Sequence, residues 1–384
     1  MWNIFGNIGP LVFALFTIPY IYSHSSKEYV GFLTLSWAAI GYTGLFDFGL
    51  SRALFYFAAT SKSSEHTDLK SAISKSALFA IGISVLIDVL LFFLRDEVVG
   101  FLKLNGTDQV NALLIILVSL PIYLVSNMVR SSLEGLELFK EANIFKFAAY
   151  VSLFLCPTVL IAHDDQLLSH VCIAYAVARL LACGYVLAKL APHLATHREA
   201  AMDVISIPFG RILGFGGWAT VSSTISPLMV YGDRFALAFF NGASAMAIYA
   251  LLQEFIGKTI LLSASYVTSI QPRLGYLPQP EAEELYRQER RNVILLSVII
   301  YTGCLLVSPF FAAVWLNVGI SEVAFLAVIM SIGFMFNSMA QIPLTYLLAR
   351  GQPRRIAFAH SLEALLYFPL MIGAAWQFGI RGAA

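Results

Sequence analysis

"YVGFLTLSWAAIGYTGLFDFGLSRALFYFAA", residues 29–59, is apolar along nearly its whole length, yet it carries Asp47 and Arg52 and has glycines at Gly41, Gly44 and Gly49. It exceeds the ~20 residues an α-helix needs to cross about 30 Å of hydrocarbon at 1.5 Å per residue. The rest of the chain is of the same kind. Over 384 residues it is 59% hydrophobic and only 12% charged, with a mean hydropathy of +0.77. Soluble domains carry about a quarter charged residues, so a water-soluble globular protein is excluded. The apolar residues fall in blocks of roughly 18–25, and the period-2 alternation of a β-barrel is missing. The expected fold class is an all-α polytopic membrane protein.

Eleven spans are expected, at 2–22, 30–57, 72–94, 111–130, 144–162, 167–190, 210–231, 244–270, 293–316, 322–348 and 356–378. The polar connections are too short to hold an inserted soluble domain. The spans at 30–57 and 244–270 are longer than a bilayer requires, so each must tilt, bend or protrude. The first block begins at Met1 without a basic leader segment or a small-residue cleavage context, and reads as a span. After the eleventh span the chain ends in "WQFGIRGAA", residues 376–384, which reads as the start of a twelfth span. A weak internal repeat pairs the spans ending near Pro19 and Arg52 with those around Pro227 and Lys258. It suggests an N-terminal lobe at 1–200 and a C-terminal lobe at 201–384.

Basic residues set the expected orientation. Seventeen Lys and Arg fall at or near one set of alternating span ends and loops and five at the other, while Arg179 and Lys258 lie well inside spans. By the positive-inside rule the amino terminus is cytoplasmic. The four cysteines, Cys156, Cys172, Cys183 and Cys304, sit in apolar blocks without metal-ligand spacing and read as buried thiols. No cofactor motif and no nucleic-acid-binding pattern is present.

Ionisable groups at mid-bilayer cost about 2.5–3.5 kcal/mol each on insertion scales, so they face a partner or a cavity. Glu254 and Lys258 stand at i, i+4 in the favourable order. With Ser265 and Ser269 they define a polar face that is either a self-neutralised pair or a substrate-facing stripe. Arg179 has no acidic neighbour within a turn. It either meets a carboxylate on another helix, with Asp88 a candidate, or binds an anion. Glu363 reads as a snorkelling or structural charge. Asn3, Asn7, Pro10 and Thr17 mark span 1. Thr220, Ser223, Thr224, Pro227 and Tyr231 mark span 7, and Asn337 with Gln341 marks span 10. Such groups serve either as interhelical glue or as cavity lining. Pro10 and Pro227 each free a carbonyl and bend a helix.

Several motifs together resemble those of polysaccharide-repeat flippases in the multidrug/oligosaccharidyl-lipid/polysaccharide exporter superfamily. They are "SWAAIGYTGLFDFGLSRALFYFAA" (36–59), "RSSLEGLELFKEANIFK" (130–146), "GDRFALAFFNGASAMAIYALLQ" (232–253), "LLARGQPRRIAF" (347–358) and "FGIRGAA" (378–384). The resemblance implies two six-helix lobes around a central cavity. It also implies a lipid-linked oligosaccharide turned from the cytoplasmic to the outer leaflet of a bacterial inner membrane. Membrane lipids and glycan polymerase or assembly proteins are the implied partners. Asp47, Gly49, Arg52, Asp233 and Arg234 are carried over as motif landmarks only.

In this reading Lys258, Arg179, Glu254, Ser265, Asn7, Thr224 and Asn337 line the substrate path. Asp47, Gly49, Arg52 and Asp88, with the Asp233–Arg234 pair, are gate or motif positions. Asp47 and Arg52 lie about 140° apart around a helix, so they are not expected to pair directly. Asp47 is expected to point with Ser51 into the bundle or cavity mouth, with Arg52 at lipid phosphates or the substrate entrance. Two other classes compete. A cation-coupled multidrug exporter of the same superfamily would carry a carboxylate in its first helix, and residues 1–22 have none. A polytopic sugar or acyl transferase would show a nucleophile–base or metal constellation. The acidic doublet Asp164–Asp165 reads instead as a solvated turn, and no enzyme activity is expected.

Overall fold

A computed structural model of the chain describes residues 2–62, 68–101, 106–199, 206–241, 243–316 and 320–383. The described residues are almost entirely helical and contain no strand. The chain divides into two compact units, Met1–Gly217 and Trp218–Ala384. The expected lobe boundary at 200/201 lies outside the described residues.

The N-terminal unit contains α1 (Trp2–His24), α2 (Lys27–Tyr42), α3 (Leu50–Thr60), α4 (Leu69–Phe93), α5 (Arg95–Phe101), α6 (Thr107–Val118), α7 (Leu120–Gly135), α8 (Phe139–Ala162) and α9 (Leu168–Glu199). The long helix α10 (Phe209–Asn241) begins in this unit and runs into the next. The C-terminal unit continues with α11 (Ala243–Lys258), α12 (Ile260–Tyr276), α13 (Gln279–Leu316), α14 (Ile320–Ala349), α15 (Pro353–Phe378) and α16 (Ile380–Ala383).

Among the described residues, eight segments are long and apolar enough to cross a membrane, as judged by length and composition. They match eight of the eleven expected spans. The other three differ for identifiable reasons. The expected 30–57 span is two helices, α2 and α3, separated by a 3-10 turn at Thr43–Leu45 and a tight bend. The expected 244–270 span divides at Thr259 into α11 and α12. The 210–231 segment is continuous within α10, but glycine, serine and threonine dilute its hydropathy.

The bend in the second segment has a local cause. Asp47 Oδ1 accepts from the Gly49 N–H at 2.8 Å, and Oδ2 accepts from the Ser51 N–H at 3.4 Å. A carboxylate there satisfies free N–H groups and complements the positive end of the α3 dipole. Gly49 has φ +69°, a left-handed conformation that glycine adopts without steric cost. A Cβ on Gly49 would also collide with the carbonyl oxygen of Gly216, and one on Gly216 would come within 2.6 Å of the Phe48 carbonyl oxygen. The two glycines therefore allow the start of α3 and the first turns of α10 to meet backbone to backbone. Asp47 is buried, whereas Arg52 is exposed. Asp47 thus closes the turn that precedes α3, whose N-cap position is Gly49, and its buried carboxylate is engaged by the backbone of that turn.

The exposed surface is unlike that of a soluble protein, although the core is largely apolar. Leu15, Phe16, Leu78, Phe93, Phe239 and Leu370 are each at least 70% exposed. The interior holds Arg179, Asp47, Asp233, Glu134 and Asn143. Large apolar side chains can face outward like this only where the surrounding medium is itself apolar.

Polar contacts fix the ends of the N-terminal unit. Asp108 of α6 accepts from the Leu168 and Ser169 N–H groups at 2.7 and 3.1 Å, capping α9 from another helix. In the neighbouring loop, the His170 ring 2.6 Å away and the Leu167 N–H hold the Asp165 carboxyl below the usual carboxylate range.

Candidate functional site

Each unit holds a carboxylate between an arginine and a lysine. In the N-terminal unit Glu134 ends α7, where Arg130 one turn earlier reaches it at 2.7 Å. Lys146 of α8 approaches its other oxygen at 3.4 Å. Lys146 also donates to Asn7 Oδ1 on α1 at 3.4 Å, and Asn143 Nδ2 donates to Asn3 Oδ1 at 2.5 Å. Polar groups from α1, α7 and α8 thus meet along one seam. Gly6 and Gly9 make the close approach possible, because a side chain on either would strike Asn143 or Phe147 of α8.

The sequence reading put Arg130 at the end of the span 111–130 and Lys146 near the start of the span 144–162 without joining them, and the structure brings both to Glu134. Helix α7 continues through Gly135 and α8 starts at Phe139, so only residues 136–138 lie outside a helix. Glu134, with a side chain only 6% exposed, draws both cations inward. A carboxylate buried this deeply requires paired cations to offset its desolvation.

Arg179 of α9 lies in the same unit and is 5% exposed. Its Nε donates to Ser126 Oγ at 2.8 Å and its Nη2 to Asn127 Oδ1 at 2.7 Å, both on α7. The guanidinium lies over the rings of Tyr123 and Phe145 at 4.9 and 4.7 Å. Each such contact contributes roughly 0.5–2 kcal/mol when desolvated. Among the described residues no carboxylate lies within 4 Å of it, so Asp88 is not its partner. Asp88 itself has a buried Oδ1 with no hydrogen-bond partner among the described residues.

In the C-terminal unit Glu254 of α11 bridges Arg234 of α10 at 2.9 Å and Lys258 at 3.2 Å. The i, i+4 pair expected from sequence is therefore present, with a third member from the neighbouring helix. A second layer holds Arg234. Its Nε donates to Gln253 Oε1 at 2.6 Å, and its guanidinium lies 4.8 Å from the Tyr231 ring centroid. Gln253 in turn donates to Asp233 Oδ2 at 2.8 Å and to the Val230 carbonyl at 2.9 Å, while the Tyr249 hydroxyl also donates to Asp233. Residues at both ends of the 232–253 motif thus bind one another across α10 and α11.

Thr224 donates to Thr220 O, Ser265 to Leu261 O, and Asn337 accepts from Gln341, each within its own helix. The face predicted to run from Glu254 to Ser269 is interrupted at Thr259. Sequence reading missed Ser263, Ser297 and Ser338, whose hydroxyls link α12, α13 and α14 at 2.8 and 2.7 Å. Among the described residues no group of three or more His, Cys, Asp or Glu could hold a metal ion. The four cysteines are free, and all but Cys156 are buried.

Lipid-facing apolar helices around buried, paired charges define a polytopic membrane protein, and solved structures place its fold among MATE-type transporters. A MOP superfamily transporter from Pyrococcus furiosus superposes with a TM-score of 0.78 at 10% identity, over 99% of this chain and 88% of its own. The Vibrio cholerae MATE transporter VcmN in its bent form gives 0.75 at 19% identity, over 100% and 90%. The chain belongs to the family described as polysaccharide biosynthesis protein, whose model matches residues 1–277. A Shigella flexneri relative described as "Putative O-antigen transporter" is 28% identical over 396 residues, covering 100% of this chain and 92% of its own length. The family found is the one the motifs had suggested.

Proposed function

We propose that this protein is a flippase. Its cargo is a polyprenyl-diphosphate-linked oligosaccharide, moved from the cytoplasmic to the outer leaflet of a bacterial inner membrane for cell-surface polysaccharide assembly. The family match and the Shigella flexneri relative support the substrate class, and the MATE-type fold supports a transporter. The observation that carries the chemistry is the charge balance of the N-terminal cluster. Arg130 and Lys146 pair with one carboxylate, Glu134, and Arg179, with no carboxylate within 4 Å among the described residues, leaves an excess of positive charge within the apolar helices of the same unit. A diphosphate leaving water must have its charge offset, and excess guanidinium and ammonium groups offer this through charge-assisted hydrogen bonds. The polyprenyl tail stays in lipid, and Asn and Ser side chains hydrogen-bond the sugars. The headgroup is exposed to one side of the membrane at a time, in alternating access.

The distribution of basic residues supports a cytoplasmic amino terminus. The absence of any Asp or Glu from α1 weighs against a cation-coupled multidrug exporter. The test is complementation of a flippase-deletion strain by Arg179→Ala and Lys258→Ala, with expression checked by immunoblot. Surface glycan should fall at least about tenfold for each, as expected when a charge partner of a desolvated anion is removed. Wild-type glycan from both variants would reject the cationic path.

A further inference from the structure

The two Arg–Glu–Lys clusters have the same composition but different exposure. The Glu134 side chain is 6% exposed and its cations 18% and 17%, so that trio is locked into helix packing. The Glu254 side chain is 39% exposed and Lys258 56%. Arg234, at 20%, is held independently by Gln253 and by the Tyr231 ring. The guanidinium therefore has partners besides Glu254, while the Glu254 and Lys258 side chains are more exposed than their counterparts in the N-terminal unit. A carboxylate spanning two cations, with one oxygen 2.9 Å from Arg234 and the other 3.2 Å from Lys258, occupies the place a phosphate group would take.

From this geometry we propose that Glu254 is an internal counter-ion of a diphosphate site formed by Arg234 and Lys258. Incoming diphosphate displaces its carboxylate from Lys258. This deepens the flippase reading and rests on it for the physiological cargo, but the site is defined by diphosphate chemistry alone. With no anion bound, Glu254 neutralises Lys258 and keeps it from being a bare charge among apolar helices. When diphosphate arrives, Lys258 changes partner while Arg234 stays on Gln253. Glu254 thus sets affinity by competition, and the site releases its ligand because the carboxylate is always adjacent. The buried Glu134 cannot exchange in this way.

The test is binding to the purified full-length protein in lipid nanodiscs. The probes are inorganic pyrophosphate and farnesyl diphosphate, with farnesol as the uncharged control. Glu254→Gln keeps the shape and an acceptor for Arg234 but removes the competing charge. It should bind pyrophosphate about tenfold or more tightly than wild type, the scale expected for a charge adjacent to a desolvated anion. Adding Lys258→Gln to that variant should abolish the gain, and Lys258→Gln alone should weaken binding. A gain with both probes assigns the site to diphosphate itself, and a gain with farnesyl diphosphate only assigns it to a lipid-borne diphosphate. Equal affinity of wild type and Glu254→Gln for both probes, or a gain that survives loss of Lys258, overturns the proposal. If Glu254→Gln does not fold, unchanged affinity in Lys258→Gln overturns it just as directly. A positive result in a protein that fails to move lipid-linked sugars would reject the cargo and retain the site.

Discussion

At the scale of single residues, Asp47 and Gly49 show how a motif can be conspicuous in sequence for a reason that only geometry reveals. Asp47 closes a bend by accepting two N–H bonds at the start of α3, and Gly49 takes a left-handed conformation against Gly216. Asp47→Ala should lower stability by about 1 kcal/mol, as loss of a helix cap does, while Asp47→Asn should retain most of it. Gly49→Ala adds a left-handed strain of order 1–3 kcal/mol to a backbone collision, and should be the most destabilising of the three. Thermal melting of the detergent-purified protein would rank them; Gly49→Ala melting like wild type would refute the close approach. The presence of a charge near a helix end was readable from residues 44–54, but its job was not, because a turn of this kind is recognised by where the helix breaks. Arg179 was similarly half legible. An isolated guanidinium in an apolar run signalled an unusual site, but its partners, Ser126, Asn127 and two aromatic rings, are uncharged and lie on other helices.

At the scale of helices, the chain was legible wherever an apolar run continued unbroken, as in α1, α4, α8, α9, α13, α14 and α15. It was misread where a span was divided. Runs 30–57 and 244–270 were each read as one span longer than a bilayer needs, which must tilt, bend or protrude, but the breaks at 43–49 and Thr259 depend on backbone geometry rather than hydropathy. The second break stops α12 from continuing the face of Glu254 and Lys258, and Ser263 instead joins Ser338 and Ser297. Hydroxyl contacts between membrane helices average about 0.6 kcal/mol and reach about 1.7. Ser338→Ala removes the middle member of the three, and should cost about 1 kcal/mol in the same melting assay. Ser269→Ala, at an exposed position bonded within its own helix, should be near neutral. Equal effects would mean the serine chain does not hold α12 to α14. The α10–α11 clamp predicts a larger loss: Tyr249→Phe takes one donor from the buried Asp233 carboxylate and should cost about 1–3 kcal/mol.

At the scale of the molecule, each unit pairs cations with a carboxylate inside apolar helices, and the units differ in how tightly that carboxylate is held. The burial of Arg130, Glu134 and Lys146 could not be read from hydropathy, because their run is polar and gives no sign that α7 carries Arg130 and Glu134 and α8 carries Lys146 into one packed seam. The resemblance in the motifs nevertheless pointed to the right family, since spacing such as Asp233–Arg234 to Tyr249 and Gln253 reflects contacts that the fold requires. Movement of a diphosphate-linked sugar lipid by means of these cations is tested most directly by reconstituting the purified full-length protein into proteoliposomes and following transbilayer movement of a fluorescent polyprenyl-diphosphate oligosaccharide. Wild type should move the lipid, Arg179→Ala and Lys258→Ala should each slow it at least about tenfold, and a polyprenol lacking the diphosphate should move no faster than in protein-free vesicles. Movement by both variants at the wild-type rate, or none by wild type above protein-free vesicles, would rule this mechanism out.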